Sequence, residues 1–246
     1  MTFNTSGGSG NTYTGNLTTS GPAGNKAVYN IYAGWEQSDG MPIEVSNGRS
    51  GRLKYKQFCL MDKVDVAVSD RISSGVSVHY LAMNDLMGRL GDNTKYDAFL
   101  FTPGVDVEAR MSESLTLSGS AYYSQWNADL SLEKNEISCP QLWLIYTGIQ
   151  KHAVTGGGEY TWRNFSRTGV KEKSQAFLAA FVQDEYSASD ELRFLAAVRS
   201  DYVDNTASGA VNTGPVLSPK LSVLYRPINS VGVRAGFGLG FRAPLV

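Results

Sequence analysis

Residues 230–244 read SVGVRAGFGLGFRAP. Taken two at a time, they separate into Val231, Val233, Ala235, Phe237, Leu239 and Phe241 on one side, and Gly232, Arg234, Gly236, Gly238, Gly240 and Arg242 on the other. Successive side chains of a β-strand point to opposite faces, whereas a helix repeats every 3.6 residues. The stretch therefore reads as a strand whose one face is wholly apolar and whose other face carries only glycine and arginine. Two such faces are compatible only with two different surroundings.

The same period recurs along the chain. Tyr29, Ile31, Ala33 and Trp35 alternate with Asn30, Tyr32, Gly34 and Glu36, and Val105, Val107 and Ala109 alternate with Asp106, Glu108 and Arg110. Leu192, Phe194, Ala196 and Val198 alternate with Arg193, Ala197 and Arg199, and Leu221, Val223 and Tyr225 with Lys220, Ser222, Leu224 and Arg226. No segment shows a comparable helical period, so the chain is expected to be all-β. Its 26 glycines, 13 tyrosines and mean hydropathy of −0.21 fit apolar residues dispersed by alternation rather than gathered in blocks.

The connections predict how the strands are joined. Tight breaks fall at 21–25 (GPAGN), 69–72 (SDRI), 111–113 (MSE), 150–152 (QKH), 187–190 (SASD) and 227–230 (PINS), and longer polar links around 38–52, 86–96, 127–137, 163–174 and 203–217. Short and long connections alternate, which in a meander puts all short turns at one end and all long loops at the other. Roughly a dozen strands follow, several longer than the usual five or six residues of soluble proteins. A strand of about 9–11 residues tilted at about 45° crosses a hydrocarbon layer. The expected fold is thus an antiparallel transmembrane β-barrel segment of about 12 strands, apolar face to lipid and polar face to a lumen. Tyr29, Trp35, Tyr80, Tyr160, Trp162 and Tyr202 fall on apolar faces and mostly toward strand ends, where an interfacial girdle belongs; ordinary β-propensity, which enriches Tyr and Trp in any strand, accounts for them equally.

Several function classes are disfavoured. A net charge of −1 and a pI near 6.1 offer no field for nucleic acid. The longest apolar run, residues 176–182, is far short of the roughly 20 residues of a membrane helix. The opening residues carry no basic-then-apolar export signal, which points to a cytoplasmic protein or to a start other than the natural one. Cys59 and Cys139 form no CxxC pair, and no His, Cys and carboxylate cluster suggests a metal. GFGLG runs into Phe-Arg-Ala-Pro instead of Lys-Ser/Thr, so it is no phosphate loop. His79 and His152 stand in no Ser-His or His-carboxylate motif, and no catalytic residue or cofactor is expected. The polar-face residues Glu159, Arg199, Asp201, Arg234 and Arg242 are the candidates for contact with whatever fills the lumen; the plainer reading is a cross-strand charge ladder that stabilises the wall.

Residues 179–205 (AAFVQDEYSASDELRFLAAVRSDYVDN) and 214–244 resemble the middle of the barrel of TonB-dependent outer-membrane receptors. The resemblance is carried by F-V-Q-D-E-Y at Phe181 to Tyr186 with Gln183, Asp184 and Glu185, by Arg199 with Asp201, by L-S-P-K-L at Leu217 to Leu221 with Pro219, and by G-L-G-F-R-A-P at Gly238 to Pro244 with Phe241, Arg242 and Ala243. HAVTGGGEYTW (152–162) resembles the family's H-x-L-T-x-G-x-E-Y strand, and residues 29–40 an early barrel strand.

The resemblance implies a 22-stranded barrel in the bacterial outer membrane, a plug domain inside it, and uptake of a ferric siderophore, haem or cobalamin energised by TonB. It also implies that residues 1–246 are a partial barrel, without plug or C-terminal strands. The partners expected are outer-membrane lipid, plug and TonB in the full-length parent, and a nutrient bound from outside. The alternative is an outer-membrane barrel independent of TonB with an adhesive or hydrolytic role.

Overall fold

A computed structural model describes residues 1–40, 42–45, 49–52, 54–87, 95–129, 132–205, 212–228 and 230–241; for 42–45, 49–52, 85–87 and 95–96 it gives the backbone path alone. The strands are β1 (Thr2–Gly8), β2 (Thr12–Ala23), β3 (Ala27–Ser38), β4 (Pro42–Val45), β5 (Arg49–Arg52), β6 (Tyr55–Ser69), β7 (Ile72–Met87) and β8 (Lys95–Arg110). They continue with β9 (Leu115–Ala128), β10 (Glu133–Tyr146), β11 (His152–Arg167), β12 (Val170–Ser187), β13 (Leu192–Asn205), β14 (Thr213–Ile228) and β15 (Val231–Gly238). Thirteen of them form one antiparallel meander in the order β1-β2-β3-β6 and onward to β15, and β4-β5 is a separate ladder between β3 and β6. Among the described residues the sheet is open: β1 and β15 each pair on one side only.

Register fixes the faces, because directly opposed residues share one. On one face lie the rows Trp35–Phe58–Ala82–Phe99, Tyr29–Val64–Val76–Val105–Ala121–Pro140–Tyr160–Leu178–Tyr202 and Val154–Asp184–Ala196–Leu221–Phe237. The side chains of this face are apolar and exposed: Leu142 is 56% accessible, Leu221 60% and Phe237 69%. Among the described residues the buried apolar set is only Ala98, Cys139, Ala179 and Val203. A water-soluble sheet would bury that apolar face against a second layer; among the described residues no second layer packs on it, and lipid is the medium that suits it.

The apolar band has sharp limits. Along β12 it runs from Tyr186 through Val182, Ala180 and Leu178 to Ala176, and then turns polar at Ser174 and Glu172. About ten tilted residues make a belt about 25 Å tall, the height of an outer-membrane hydrocarbon layer. Tyr29, Tyr146, Tyr186, Phe194 and Tyr225 mark its turn-side edge, and Trp35, Tyr80, Tyr123, Trp162 and Tyr202 its loop-side edge. Asp62 puts a carboxylate in the middle of the belt on β6, opposite Ile31 and Val78, with its Oδ1 unbonded.

The short connections 24–26, 70–71, 111–114, 147–151, 188–191 and 229–230 gather at one end. In the 188–191 turn the Ser189 hydroxyl donates to Glu191 at 2.7 Å and holds that carboxyl below the usual glutamate range. At the other end, 39–54, 88–94 and 206–212 are long as expected. Two expected long loops are strand instead: β10 starts at Glu133, and β11 and β12 run to Arg167 and from Val170 around the turn Thr168–Gly169, with Gly169 at φ 77°. Strict alternation of loop length therefore fails at 127–137 and 163–174. Beyond the belt both faces meet water, so polarity there marks the edge of the membrane rather than the end of the ladder.

The face assignment predicts opposite outcomes for neighbouring arginines. Leu142→Arg is expected to cost about 2–4 kcal/mol in lipid vesicles, Ser120→Arg on the polar face to be tolerated, and Asp62→Val to gain about 1 kcal/mol. Urea unfolding followed by tryptophan fluorescence reads all three, and equal losses for Leu142→Arg and Ser120→Arg would reverse the faces.

Candidate functional site: the charged lumen wall

The second face carries the polar and charged rows of the wall, with Trp143, Phe177 and Phe181 among them. One hydrogen-bonding row on it reads Asp65–Gly75–Asp106–Ser120–Gln141–Glu159–Ala179–Asp201 across eight strands. Four of its eight members are carboxylates, and two groups of cations answer them. Lys63 Nζ lies 3.0 Å from Asp65 Oδ1 and 3.6 Å from Asp106 Oδ1. Gly75 sits between those acids, and a Cβ there would come within 2.6–2.7 Å of their carboxylate oxygens.

The second group brings together three residues expected from the sequence. Arg199 Nε donates to Asp201 Oδ1 at 2.8 Å, and its Nη2 lies 3.7 Å from Glu159 Oε1. Gln141 Nε2 donates to Glu159 Oε2 at 3.4 Å and the Thr161 hydroxyl to Oε1 at 3.5 Å. The Lys63 group is half-exposed and the Arg199 group only partly exposed, and exposed pairs of this kind are worth up to about 1 kcal/mol each. They remain chemically available to a docked surface.

The other expected residues separate. Arg234 shares the polar face but stands opposite Leu224, near the turn end, in a wall region of Glu185, Arg193, Lys220 and Arg226. Arg193 Nη1 donates to Glu185 Oε1 at 3.3 Å. Gln183 faces the lumen opposite Thr155 and Ala197, whereas Pro219 is on the lipid side opposite Val198. Asp184 is also on the lipid side, at the turn-side edge, where His152 Nδ1 lies 2.8 Å from its Oδ2 and the imidazole stacks on Tyr186 at 4.7 Å. Phe241 follows β15, and Arg242, Ala243 and Pro244 lie outside the described residues.

His79 lies on the lumen face opposite Met61 and Thr102, with Cys59 Sγ 3.8 Å from its Nε2. Among the described residues no three His, Cys, Asp or Glu form a metal-holding group. At the loop end Glu36 accepts from the Tyr55 hydroxyl and, at 3.1 Å, from Gln57 Nε2, and Asp39 accepts from Asn11 Nδ2 at 2.6 Å.

Arg163, Phe165, Lys173 and Phe177, absent from the sequence-based candidates, line the same face near the loop end, with Arg163 Cζ 5.0 Å over the Phe177 ring. Their signal is present in the sequence as alternation: Arg163, Phe165 and Arg167 on one side of Thr168–Gly169, and Lys173, Gln175 and Phe177 on the other. Reading 163–174 as a loop hides it.

A one-layer antiparallel wall with lipid on one side and a charged lumen on the other is part of an outer-membrane transport barrel. The TonB dependent receptor-like β-barrel family matches residues 2–246, and the chain belongs to it. That places it in the bacterial outer membrane, in a family of transporters rather than enzymes.

No curated protein matches the chain in sequence. Among solved structures it is similar to the open form of the ferric-catecholate import receptor Fiu of E. coli K12, with TM-score 0.75 and 12% identity over 95% of this chain and 53% of that one. A mutant of the ferric enterobactin receptor PfeA of Pseudomonas aeruginosa gives 0.74 at 12% identity, covering 95% and 41%. The alcaligin receptor FauA of Bordetella pertussis gives 0.68 at 14%, covering 92% and 41%. The likeness is one of fold, and the chain spans about half the length of these receptors or less.

Packing on the lumen side makes one glycine critical. A Cβ on Gly157 would lie 2.5 Å from the Leu142 carbonyl oxygen, 2.8 Å from Trp143 Cβ and 3.0 Å from Phe181 Cε1. Gly157→Ala is therefore expected to destabilise the wall by about 1–3 kcal/mol. Gly214, with nothing within 4 Å of its would-be Cβ, is the comparison: Gly214→Ala should change the same urea midpoint little.

Proposed function

We propose that residues 1–246 form part of the wall of a receptor that imports a scarce nutrient across the outer membrane, driven by TonB and occupied by a plug domain supplied elsewhere in a longer chain. The observation that carries this reading is the lumen row with its Lys63–Asp65–Asp106 and Glu159–Arg199–Asp201 groups. Paired but partly exposed charges on the lumen wall suit a docked protein surface, because each retains donors and acceptors for a partner.

Glu159, Arg199 and Asp201 are the contacts we assign to plug or substrate, and Arg234 and Arg242 belong to the same proposal on β15 and beyond it. The open edges at β1 and β15 support closure by further strands, since an unpaired strand edge is not stable in hydrocarbon. A ferric siderophore is the cargo most consistent with the structural neighbours, which are described as ferric-catecholate, ferric enterobactin and alcaligin receptors. Such a barrel can also meet proteins: FpvAI, similar in fold at TM-score 0.76, is solved in complex with pyocin S2.

Accumulation of radioactive iron, presented as siderophore chelates to iron-starved cells, tests the reading. Disrupting the gene, or removing TonB, should abolish energised uptake of at least one chelate, and Glu159→Gln with Arg199→Gln should lower it about tenfold or more at unchanged receptor abundance. Undiminished uptake in the strain lacking TonB would overturn the proposal.

A further inference from the structure

On the lumen wall between the Lys63 group and the loop end, β6 and β7 bring together three side chains that the charged rows do not use. Cys59 and Met61 alternate on β6 and His79 lies on β7; Cys59 opposes Leu81 and Met61 opposes His79, so all three share the lumen face with His79 diagonal to Cys59. Directly opposed side chains of an antiparallel pair stand about 4.5–5.5 Å apart at Cβ. Cys59 Sγ lies 3.8 Å from His79 Nε2. Met61 is 45% accessible, so its thioether is not committed to a packed core, and its rotatable bonds let it turn toward the imidazole.

The separation of thiol and imidazole is that of two ligands on one metal ion. A sulfur at about 2.3 Å and a nitrogen at about 2.0 Å from a shared ion stand about 3.7 Å apart when the angle between them is about 120°. Cys59 also lines a cavity of about 240 Å³ whose walls include Asn16, Tyr32, Gly34 and Gln57, which gives an ion a route to the sulfur. Gly34 stands opposite Cys59. A Cβ there would come within 2.6 Å of the Tyr32 hydroxyl, so the glycine is what lets Tyr32 lie along this part of the wall.

The donors select the ion. Two sulfurs and one imidazole nitrogen are soft ligands, and the flanking lumen positions Gln57, Lys63, Ser77 and Leu81 add no carboxylate. The Lys63 ammonium is turned to Asp65 and Asp106. Ca²⁺ and Mg²⁺ take oxygen ligands, and Zn²⁺ is held by thiolate, imidazole and carboxylate in fourfold sites. A thioether beside a thiolate favours Cu(I).

We propose that Cys59, Met61 and His79 form a lumen-wall site for one soft monovalent ion of the Cu(I) class. On binding, the thiol releases its proton to solvent and the thiolate offsets the single charge of the ion. Copper enters and stays as Cu(I), so no electron is transferred. The site is separate from the Lys63 and Arg199 groups and does not depend on which nutrient the receptor imports.

The test uses the full-length gene product, extracted from outer membranes in detergent and kept reduced under nitrogen. Iodoacetamide is added with and without Cu(I), and alkylation of Cys59 is read by mass spectrometry. Saturating Cu(I) should slow that alkylation about tenfold or more, because the attacking sulfur is held by the ion, whereas Zn²⁺ and Ca²⁺ at the same concentration should not. Transfer of Cu(I) from its bicinchoninate complex should then give one equivalent fewer for Cys59→Ser than for the wild type. Met61→Leu and His79→Gln should weaken uptake about tenfold or more, and Cys139→Ala should leave it unchanged.

Alkylation of Cys59 that Cu(I) does not slow, or that Zn²⁺ slows as strongly, overturns the site. A Cys59 that resists iodoacetamide in the absence of metal overturns it as well. Equal uptake by wild type and Cys59→Ser does the same, and reduces the approach of Cys59 to His79 to a weak hydrogen bond. If Cys59→Ser does not assemble, the alkylation result on the wild type decides alone.

Discussion

Within hydrocarbon a backbone N–H or C=O has no water to bond, so a strand can cross only if a neighbour satisfies it along its length. The thirteen-strand ladder meets that demand from β2 to β14, β4 and β5 aside, each strand being paired on both sides. Everything else about the wall follows from this continuity. Because opposed residues share a face, one register error would carry apolar side chains into the lumen and charges into lipid. Phe237, Leu221, Ala196 and Val154 hold one such row across five strands, interrupted only by Asp184, which is engaged by His152 at the edge of the belt.

On the lumen side the same ladder carries a row of acids from the turn-side edge of the belt at Asp65 to its loop-side edge at Asp201. Acids dominate the row through Asp65, Asp106, Glu159 and Asp201, where Lys63 and Arg199 bridge them. Cations gather toward the two ends, as Arg163, Arg167 and Lys173 near the loops and as Arg193, Lys220, Arg226 and Arg234 near the turns. Screening confines each group to a range of about 8–10 Å, so the three zones act as separate surfaces.

Period two makes the strands, their faces and the aromatic edges legible in the order of residues. Alternation alone assigns Tyr29, Trp35, Tyr80, Tyr160, Trp162 and Tyr202 to the apolar face, and the register puts them there. The polar stretches 127–137 and 163–174 read as loops because composition changes where lipid gives way to water, and hydrogen bonding does not. That difference conceals Arg163, Lys173 and Phe177, whose spacing is as regular as that of any residue in the belt.

The sequence by itself determined which side of each strand tolerates lipid, since that depends only on the order of residues and the geometry of an extended chain. It also identified Glu159, Arg199 and Asp201 as polar-face residues. Only the tertiary structure decided that these three meet while Arg234 stands apart. Contact between strands depends on register, and register is a sum over many cross-strand pairs and turn lengths that no local stretch encodes. The same sum sets Lys63 between Asp65 and Asp106, and Arg163 over Phe177.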